Sequence, residues 1–83
     1  MEFEEALVAV KCGKLVERAG WNGSGMYLFL IGGSPDSVWT YTNGRNDNFL
    51  LSPFIAIKSV NDVVVPWFPS QTDILAKDWR IVE

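Results

Sequence analysis

Histidine is missing from the sequence, and cysteine occurs once, as Cys12. Histidine is the commonest general base near neutral pH and the commonest transition-metal ligand, so its absence argues against the usual acid–base and metal chemistry. A single cysteine cannot form an internal disulfide, and without histidine it cannot build a Cys/His zinc site. We expect Cys12, at a predicted helix end without a histidine partner, to be a small core residue.

Long apolar segments are also missing. The longest uninterrupted apolar run, Met26 to Ile31, is far shorter than the roughly 20 residues that cross a bilayer. The first residues are acidic and lack the basic-then-apolar order of a signal peptide. Together with the lone cysteine, these features predict a cytoplasmic protein with no membrane partner.

Basic residues are few, with seven against ten acidic residues and a net charge of −3. A protein that binds nucleic-acid polymers usually presents a basic field, so we expect no such partner here. A small anion is still compatible with this charge, because one or two arginines or backbone amides can hold it. Arg18, Arg45 and Arg80 are the candidates for phosphate contact, although a solvated surface role is the commoner one for each.

Aromatic residues, in contrast, are abundant for a chain of 83 residues, with four Trp, two Tyr and five Phe. This length corresponds to one domain, residues 1–83, whose single small core can hardly bury all of these rings. The surplus is most simply explained by a subunit interface or a ligand pocket.

The pattern of apolar residues and turn signals predicts a small α+β domain. Its elements are an N-terminal helix over Glu2 to Lys11, strands over Leu15 to Arg18, Met26 to Ile31, Phe54 to Lys58, Val63 to Val65 and Asp78 to Val82, and a short C-terminal helix that opens at Ser70. The segment from Gly32 to Ser52 is irregular apart from one short strand over Val38 to Thr42. These strands are expected to form one small antiparallel sheet. Because the strand over Met26 to Ile31 is apolar on both faces, we expect a second subunit to cover the face that the helix leaves open.

Two segments carry candidate ligand-binding residues. Trp21 lies in a glycine-rich turn, where a large ring either stacks on a ligand or packs over the sheet edge. Trp67 directly precedes the helix at Ser70, whose free N–H groups suit an anion. Ser70 and Asp73 have the spacing of a capping box. The side chains of the two residues between them, Gln71 and Thr72, are not needed for the cap, so they are the better candidates for ligand hydrogen bonds.

Two blocks of the sequence resemble the signature of a small phage and bacterial family, the Thoeris anti-defence protein two family. The first block is Gly20-Trp21-Asn22-Gly23-x-Gly25-Met26-Tyr27-Leu28. The second block is Pro66-Trp67-x-x-Ser70-Gln71-Thr72-Asp73-x-Leu75-Ala76-x-Asp78-Trp79. The N-terminal helix and Gly13-Lys14 also fit the family, whereas the segment from Gly32 to Ser52 varies among its members.

The resemblance implies a non-catalytic sponge that holds cyclic ADP-ribose isomers, such as glycocyclic ADP-ribose, without cleaving them. Such a protein inhibits the bacterial Thoeris defence system in the cytoplasm of the infected cell, and some relatives also bind cyclic oligonucleotides. The family implies a homotetramer with pockets at subunit interfaces and no cofactor or metal. The ligand contacts that it implies are Trp21, Asn22, Met26, Trp67, Gln71, Thr72 and Asp73.

Two other classes of function remain open from the residues alone. One is an enzyme that degrades such nucleotides with Asp73 or Asp78 as the base, against which the lack of histidine argues. The other is a small structural or interaction subunit, which would bind no small molecule.

Overall fold

The computed structural model of the chain describes residues 1–21, 25–32, 40–42 and 44–82. Its elements in chain order are α1 (Phe3–Lys11), β1 (Val16–Arg18), β2 (Tyr27–Ile31), β3 (Thr40–Thr42), β4 (Asn48–Leu50), β5 (Phe54–Lys58), β6 (Val64–Pro66), α2 (Gln71–Leu75) and β7 (Trp79–Ile81). Five strands form an antiparallel sheet in the order β6-β5-β2-β1-β7, and β3 pairs with β4 in a separate two-stranded sheet. The predicted α+β fold with a helix near each end is therefore confirmed.

Helix α1 forms where the sequence places an apolar stripe between an acidic start and a glycine stop. The side chain of Glu5 accepts a hydrogen bond from the backbone N–H of Glu2 at 3.2 Å, which satisfies one of the free donors at the helix start. After the helix, Gly13 adopts a φ of +87°, a left-handed conformation that suits glycine and ends the helix. Inside it, Ala6, Ala9 and Val10 are buried against the sheet.

The core lies between α1 and one face of the five-stranded sheet. Its fully buried members are Ala6, Ala9, Val10, Val16, Leu28 and Trp79. Directly paired residues of an antiparallel sheet share a face, so the pairing of Val16 with Leu28 places both toward α1. Ala76, which follows α2, also packs against this cluster, so both helices lie on the core side of the sheet.

The opposite face of the sheet is also apolar, as the sequence predicts for β2. Tyr27 and Phe29 lie there with their ring centroids 6.0 Å apart. Register pairs them with Lys58 and Ala56 of β5, and the Lys58 ammonium lies 5.2 Å from the centroid of the Tyr27 ring. Neither of the described helices packs on this second face, as the core contacts of α1 and α2 place both on the other side.

The two edges of the sheet differ in how they are closed. Strand β6 forms one edge and ends at Pro66, which has no backbone N–H. Strand β7 forms the other edge and is partly covered by Met1. The N-terminal amino group of Met1 donates to the Trp79 carbonyl oxygen at 2.7 Å, and the Trp79 N–H donates to the Met1 carbonyl oxygen at 3.2 Å.

Two expectations from the sequence need correction. Cys12 is exposed rather than part of the core. It follows Val10 by two residues, which is about 200° around a helix, so it points away from the buried stripe where α1 ends. Strand β4 was not predicted, because its three residues are too short to show an alternating pattern. The strand predicted over Val38 to Thr42 is present as Thr40–Thr42, and positions 38 and 39 lie outside the described residues.

The longer of the two helices in the described ranges has nine residues, and neither is long and apolar enough to cross a membrane.

Candidate functional site

Three tryptophans, which we call the tryptophan cluster, meet at one end of the sheet. Trp79 on β7 is 1% exposed and lies at its centre. The Trp21 ring meets it edge-on with centroids 5.4 Å apart, and the Trp67 ring does so at 6.0 Å. Phe3 of α1 packs on Trp79 at 5.4 Å and on Trp67 at 5.8 Å. Two indoles that are far apart in the sequence thus flank one buried indole, and each of the two keeps part of its surface exposed.

Beside the tryptophan cluster, a single arginine binds two carboxylates. Arg18 at the end of β1 donates from Nη1 to Asp73 Oδ1 at 2.8 Å and from Nε to Asp78 Oδ1 at 2.9 Å. We call these three residues the Arg18 network. The side chains of Arg18 and Asp73 are each 17% exposed, so water screens this pair only in part. The network joins β1, α2 and the start of β7.

The network stabilises the charged forms of its members. Hydrogen bonds to Asp78 and then to Asp73 raise the pKa of Arg18 above its ordinary value. Burial alone would raise the pKa of Asp73, but hydrogen bonds from Arg18 and Ser70 outweigh it and hold that pKa below its ordinary value. The hydrogen bond from Arg18 also lowers the pKa of Asp78, against a smaller effect of desolvation. Both carboxylates are therefore ionised near neutral pH.

Helix α2 is a single capped turn. The Ser70 hydroxyl accepts from the Asp73 N–H at 3.1 Å, and Asp73 Oδ2 accepts from the Ser70 N–H at 3.4 Å, which confirms the predicted capping box. A negative charge near the first turn stabilises a helix, and in α2 Asp73 supplies that charge. The N-terminus of this short helix therefore has little capacity for a second anion. Gln71 and Thr72, in contrast, are exposed.

The three arginines considered for phosphate contact all bind carboxylates in the described part of the chain. Arg18 belongs to the network above. Arg80 donates from Nε to Glu17 on the neighbouring strand at 3.2 Å, and Arg45 donates from Nη2 to Asp47 at 2.9 Å. A phosphate would have to compete with these partners, which the sequence did not reveal.

The structure brings together some of the predicted ligand-binding residues. Trp21, Trp67 and Asp73 meet directly around Trp79, since Trp21 Nε1 lies 3.5 Å from Asp73 Oδ1 and Trp79 Nε1 donates to the Asp73 carbonyl oxygen at 2.9 Å. Gln71 and Thr72 lie on the same short helix as Asp73. Met26 is half-buried just before β2, and Asn22 lies outside the described residues.

Comparison with known proteins shows the family of the chain. A model of the Thoeris anti-defense 2-like (Tad2-like) domain matches residues 1–82. The chain belongs to the Thoeris anti-defense 2-like family. A protein of Bacillus phage SP01 named Thoeris anti-defense 2 is 41% identical over 86 residues, which cover 99% of this chain and 94% of that protein. The family resemblance expected from the two sequence blocks is confirmed.

Two residues of the site in this Tad2-like domain were not predicted to matter for it. Both belong to the second sequence block of the family resemblance, but Trp79 was not named as a ligand contact, and Asp78 was otherwise considered only as a base in the enzyme alternative. Asp78 binds Arg18, which lies 60 residues away in the sequence. Trp79 donates to the Asp73 carbonyl oxygen of α2, a helix of only five residues. A local sequence pattern could therefore not have shown these contacts.

Elsewhere on the Tad2-like domain, a shallow groove of about 370 Å³ lies between α1 and the ends of β2 and β5. Its lining residues are Leu7, Lys11, Leu30, Pro53, Phe54 and Ile55. None of these belongs to the tryptophan cluster. The described ranges contain no cluster of three or more Cys, Asp or Glu side chains that could hold a metal ion.

Proposed function

We propose that this protein counteracts the bacterial Thoeris defence by sequestering a cyclic ADP-ribose-type signal, such as glycocyclic ADP-ribose, without cleaving it. Membership of the Thoeris anti-defense 2-like family is the observation that carries the proposal. The cytoplasm of the infected bacterial cell is the proposed place of action. Binding of cyclic oligonucleotides by the same protein is part of the proposal, because the family resemblance implies it.

The geometry around Trp79 supports a nucleotide-type ligand. The Trp21 and Trp67 rings both contact the Trp79 ring, at centroid distances of 5.4 and 6.0 Å. The two flanking rings therefore lie close to each other. Partly exposed indoles can stack on a base or a ribose at about 1–3 kcal/mol per base. Gln71 and Thr72 are exposed beside them and can donate and accept hydrogen bonds. The proposed ligand contacts are Trp21, Asn22, Met26, Trp67, Gln71, Thr72 and Asp73.

The carboxylates of the site support binding rather than catalysis. A general base works best when its pKa lies near the working pH. Asp73 and Asp78 are both bonded to Arg18, and their pKa values are lowered rather than raised. Neither is therefore tuned to take a proton from water or from a ribose hydroxyl near neutral pH.

A homotetramer is the proposed assembly, and the exposed apolar surface supports it. Phe68 is 85% exposed, and further exposed apolar side chains lie on β6, its flanks and α2. They are Val63, Val64, Val65, Ile74 and Leu75. Exposed large apolar side chains in this number are compatible with a protein–protein interface. The apolar second face of the sheet, where Tyr27 and Phe29 lie, is the other surface that a second copy would cover.

A binding and release experiment tests the proposal. Calorimetry with a panel of cyclic ADP-ribose isomers and cyclic dinucleotides should give tight binding of at least one cyclic ADP-ribose isomer. Heat denaturation of the complex should then return the intact ligand to solution. Recovery of a linear or hydrolysed product would favour the enzyme alternative, and no binding across the panel would favour an interaction subunit.

A pair of exposed amides provides a matched control for this experiment. Gln71→Ala should weaken binding about tenfold, which corresponds to the loss of about one hydrogen bond to the ligand. Asn61→Ala removes a similar exposed amide in the turn between β5 and β6 and should leave the affinity unchanged. Equal affinities of the two variants would contradict the proposed role of Gln71.

The proposed assembly has a separate test. Light scattering of the purified protein should give a mass near that of four chains. A stable monomer of 9.3 kDa would remove the explanation for the exposed apolar surface.

A further inference from the structure

The turn that carries Trp21 is held by backbone and side-chain bonds at three successive residues. The Ala19 N–H donates to the Asp78 carbonyl oxygen at 3.0 Å, and the Gly20 N–H donates to Asp78 Oδ2 at 2.8 Å. The Trp21 N–H then donates to the Arg18 carbonyl oxygen at 3.2 Å. Asp78 therefore fixes the turn at its entrance, and its other carboxylate oxygen is bound by Arg18.

The same arginine also fixes α2. Its Nη1 binds Asp73 Oδ1, the oxygen that lies 3.5 Å from Trp21 Nε1. Asp73 in turn caps α2 together with Ser70. One guanidinium thus joins the turn of Trp21 to the helix that carries Gln71 and Thr72, the two sides of the proposed ligand site.

We propose that Arg18 and Asp78 are positioning residues, which hold the Trp21 turn and α2 in the arrangement that binds ligand and do not themselves contact it. This inference rests on the proposed function. Arg18 is suited to this task because its planar guanidinium presents several donors in a fixed geometry and stays charged. A ligand that meets a prearranged site does not have to order these side chains on binding, so the affinity is higher than for a loose site.

Gly20 provides a way to disturb this arrangement without altering a proposed ligand contact. A Cβ atom added at Gly20 would lie 2.9 Å from Asp78 Oδ2, which is closer than van der Waals contact allows. In Gly20→Ala the carboxylate must therefore move away from the turn. Asp78→Asn is a second variant, since an amide in place of the carboxylate weakens the bond to Arg18 while keeping the size of the side chain.

The matched control is Asp62→Asn, which makes the same chemical change at another ion pair. Asp62 Oδ1 lies 2.9 Å from Lys58 Nζ in the turn between β5 and β6. Its φ of +61° is one that asparagine also adopts readily, so this variant should keep the local backbone.

The experiment compares ligand affinity at a temperature where circular dichroism shows every variant fully folded. The probe is the cyclic ADP-ribose isomer that binds the unaltered protein most tightly. Gly20→Ala and Asp78→Asn should each weaken binding about tenfold with faster dissociation, as expected when about one or two side chains must be ordered on binding. Asp62→Asn should bind as the unaltered protein does. Affinities of the two test variants within twofold of the unaltered protein would overturn the inference.

A second measurement does not depend on the ligand. In nitrogen-15 NMR spectra, the indole N–H signal of Trp21 should shift in Asp78→Asn and Gly20→Ala but not in Asp62→Asn. An unchanged signal in both test variants would overturn the inference. If the unaltered protein binds nothing in the panel, the proposed function fails while this NMR result still decides whether the network positions Trp21.

Discussion

Replacing Trp79 with phenylalanine should destabilise the domain more than the same change at Trp21. Trp79 is buried, and three other rings contact it. Its Nε1 also donates to the Asp73 carbonyl oxygen, which ties α2 to β7. Phenylalanine fits the same space but lacks both the N–H group and part of the ring system.

The expected loss follows from these two missing parts. The hydrogen bond is worth about 1 kcal/mol, because the Asp73 carbonyl keeps a second donor, the Ala76 N–H at 3.3 Å. The missing ring atoms cost about 2 kcal/mol of burial and contact. The sum is about 3 kcal/mol, or a fall of about 12–24 °C in the melting temperature of a domain of this size. That is a large part of the total stability of a small domain.

Chemical denaturation at one fixed protein concentration measures this loss, since the stability of a protein that forms the proposed homotetramer would depend on concentration. Trp21→Phe is the comparison, because Trp21 is partly exposed and its indole N–H lies 3.5 Å from its acceptor. We expect that change to cost about 1 kcal/mol. A loss in Trp79→Phe below about 1 kcal/mol, or no larger than that in Trp21→Phe, would refute the central role of Trp79.

Three further predictions concern the charged network and the turns. The pKa values of Asp73 and Asp78 are lower in the folded than in the unfolded chain, so the unfolded chain takes up protons first as the pH falls. The free energy of unfolding should therefore be flat above about pH 5 and decrease below it. Asp73→Asn should reduce the slope of that decrease. Urea titrations across this pH range measure it, and an unchanged slope would contradict the reasoning. Ser70→Ala should lower the free energy of unfolding by about 1 kcal/mol, because it removes the cap of α2, and Ser70→Asn should recover most of that loss. Thermal melts of both variants measure the effect, and equal melting temperatures would contradict the role of the cap. Gly32→Ala should lower the free energy of unfolding by about 1–2 kcal/mol, because Gly32 has a φ of +74° and a Cβ there would lie 3.3 Å from the Leu51 carbonyl oxygen. A melting temperature equal to that of the unaltered protein would contradict this and show that the turn relaxes.

The elements with a clear local pattern could be predicted from the sequence. Strand β5 has the predicted bounds, and α1 begins one residue after its predicted start. Helix α1 carries apolar residues at helical spacing, and β5 is a short apolar run bounded by turn signals, so neither pattern depends on a distant contact. Strand β4 was missed because three residues define no period, and its pairing with β3 is a property of the fold.

The candidate site was predictable to a smaller extent for the same reason. The cap between Ser70 and Asp73 spans three residues and is visible in the sequence. The partners of Arg18, in contrast, lie 55 and 60 residues along the chain, so no spacing indicates them. Alternation places Trp79 and Ile81 on one face of β7, yet Trp79 is 1% exposed and Ile81 is 42% exposed. That difference is set by the helices above the strand.

The proline at the end of β6 has a consequence for how this protein tolerates high concentration. Register turns the backbone groups of Val64 and Pro66 away from β5, and at Pro66 only a carbonyl is offered to a neighbour. A strand from another copy would find too few N–H donors on β6 to extend the hydrogen-bonded sheet. At the other edge, Met1 covers part of β7. Lateral stacking into fibres is thereby disfavoured, and copies are left to associate through side-chain surfaces. Under the proposed function, the protein removes its ligand mole for mole and has to accumulate to match it, and these two edges would let it do so without polymerising.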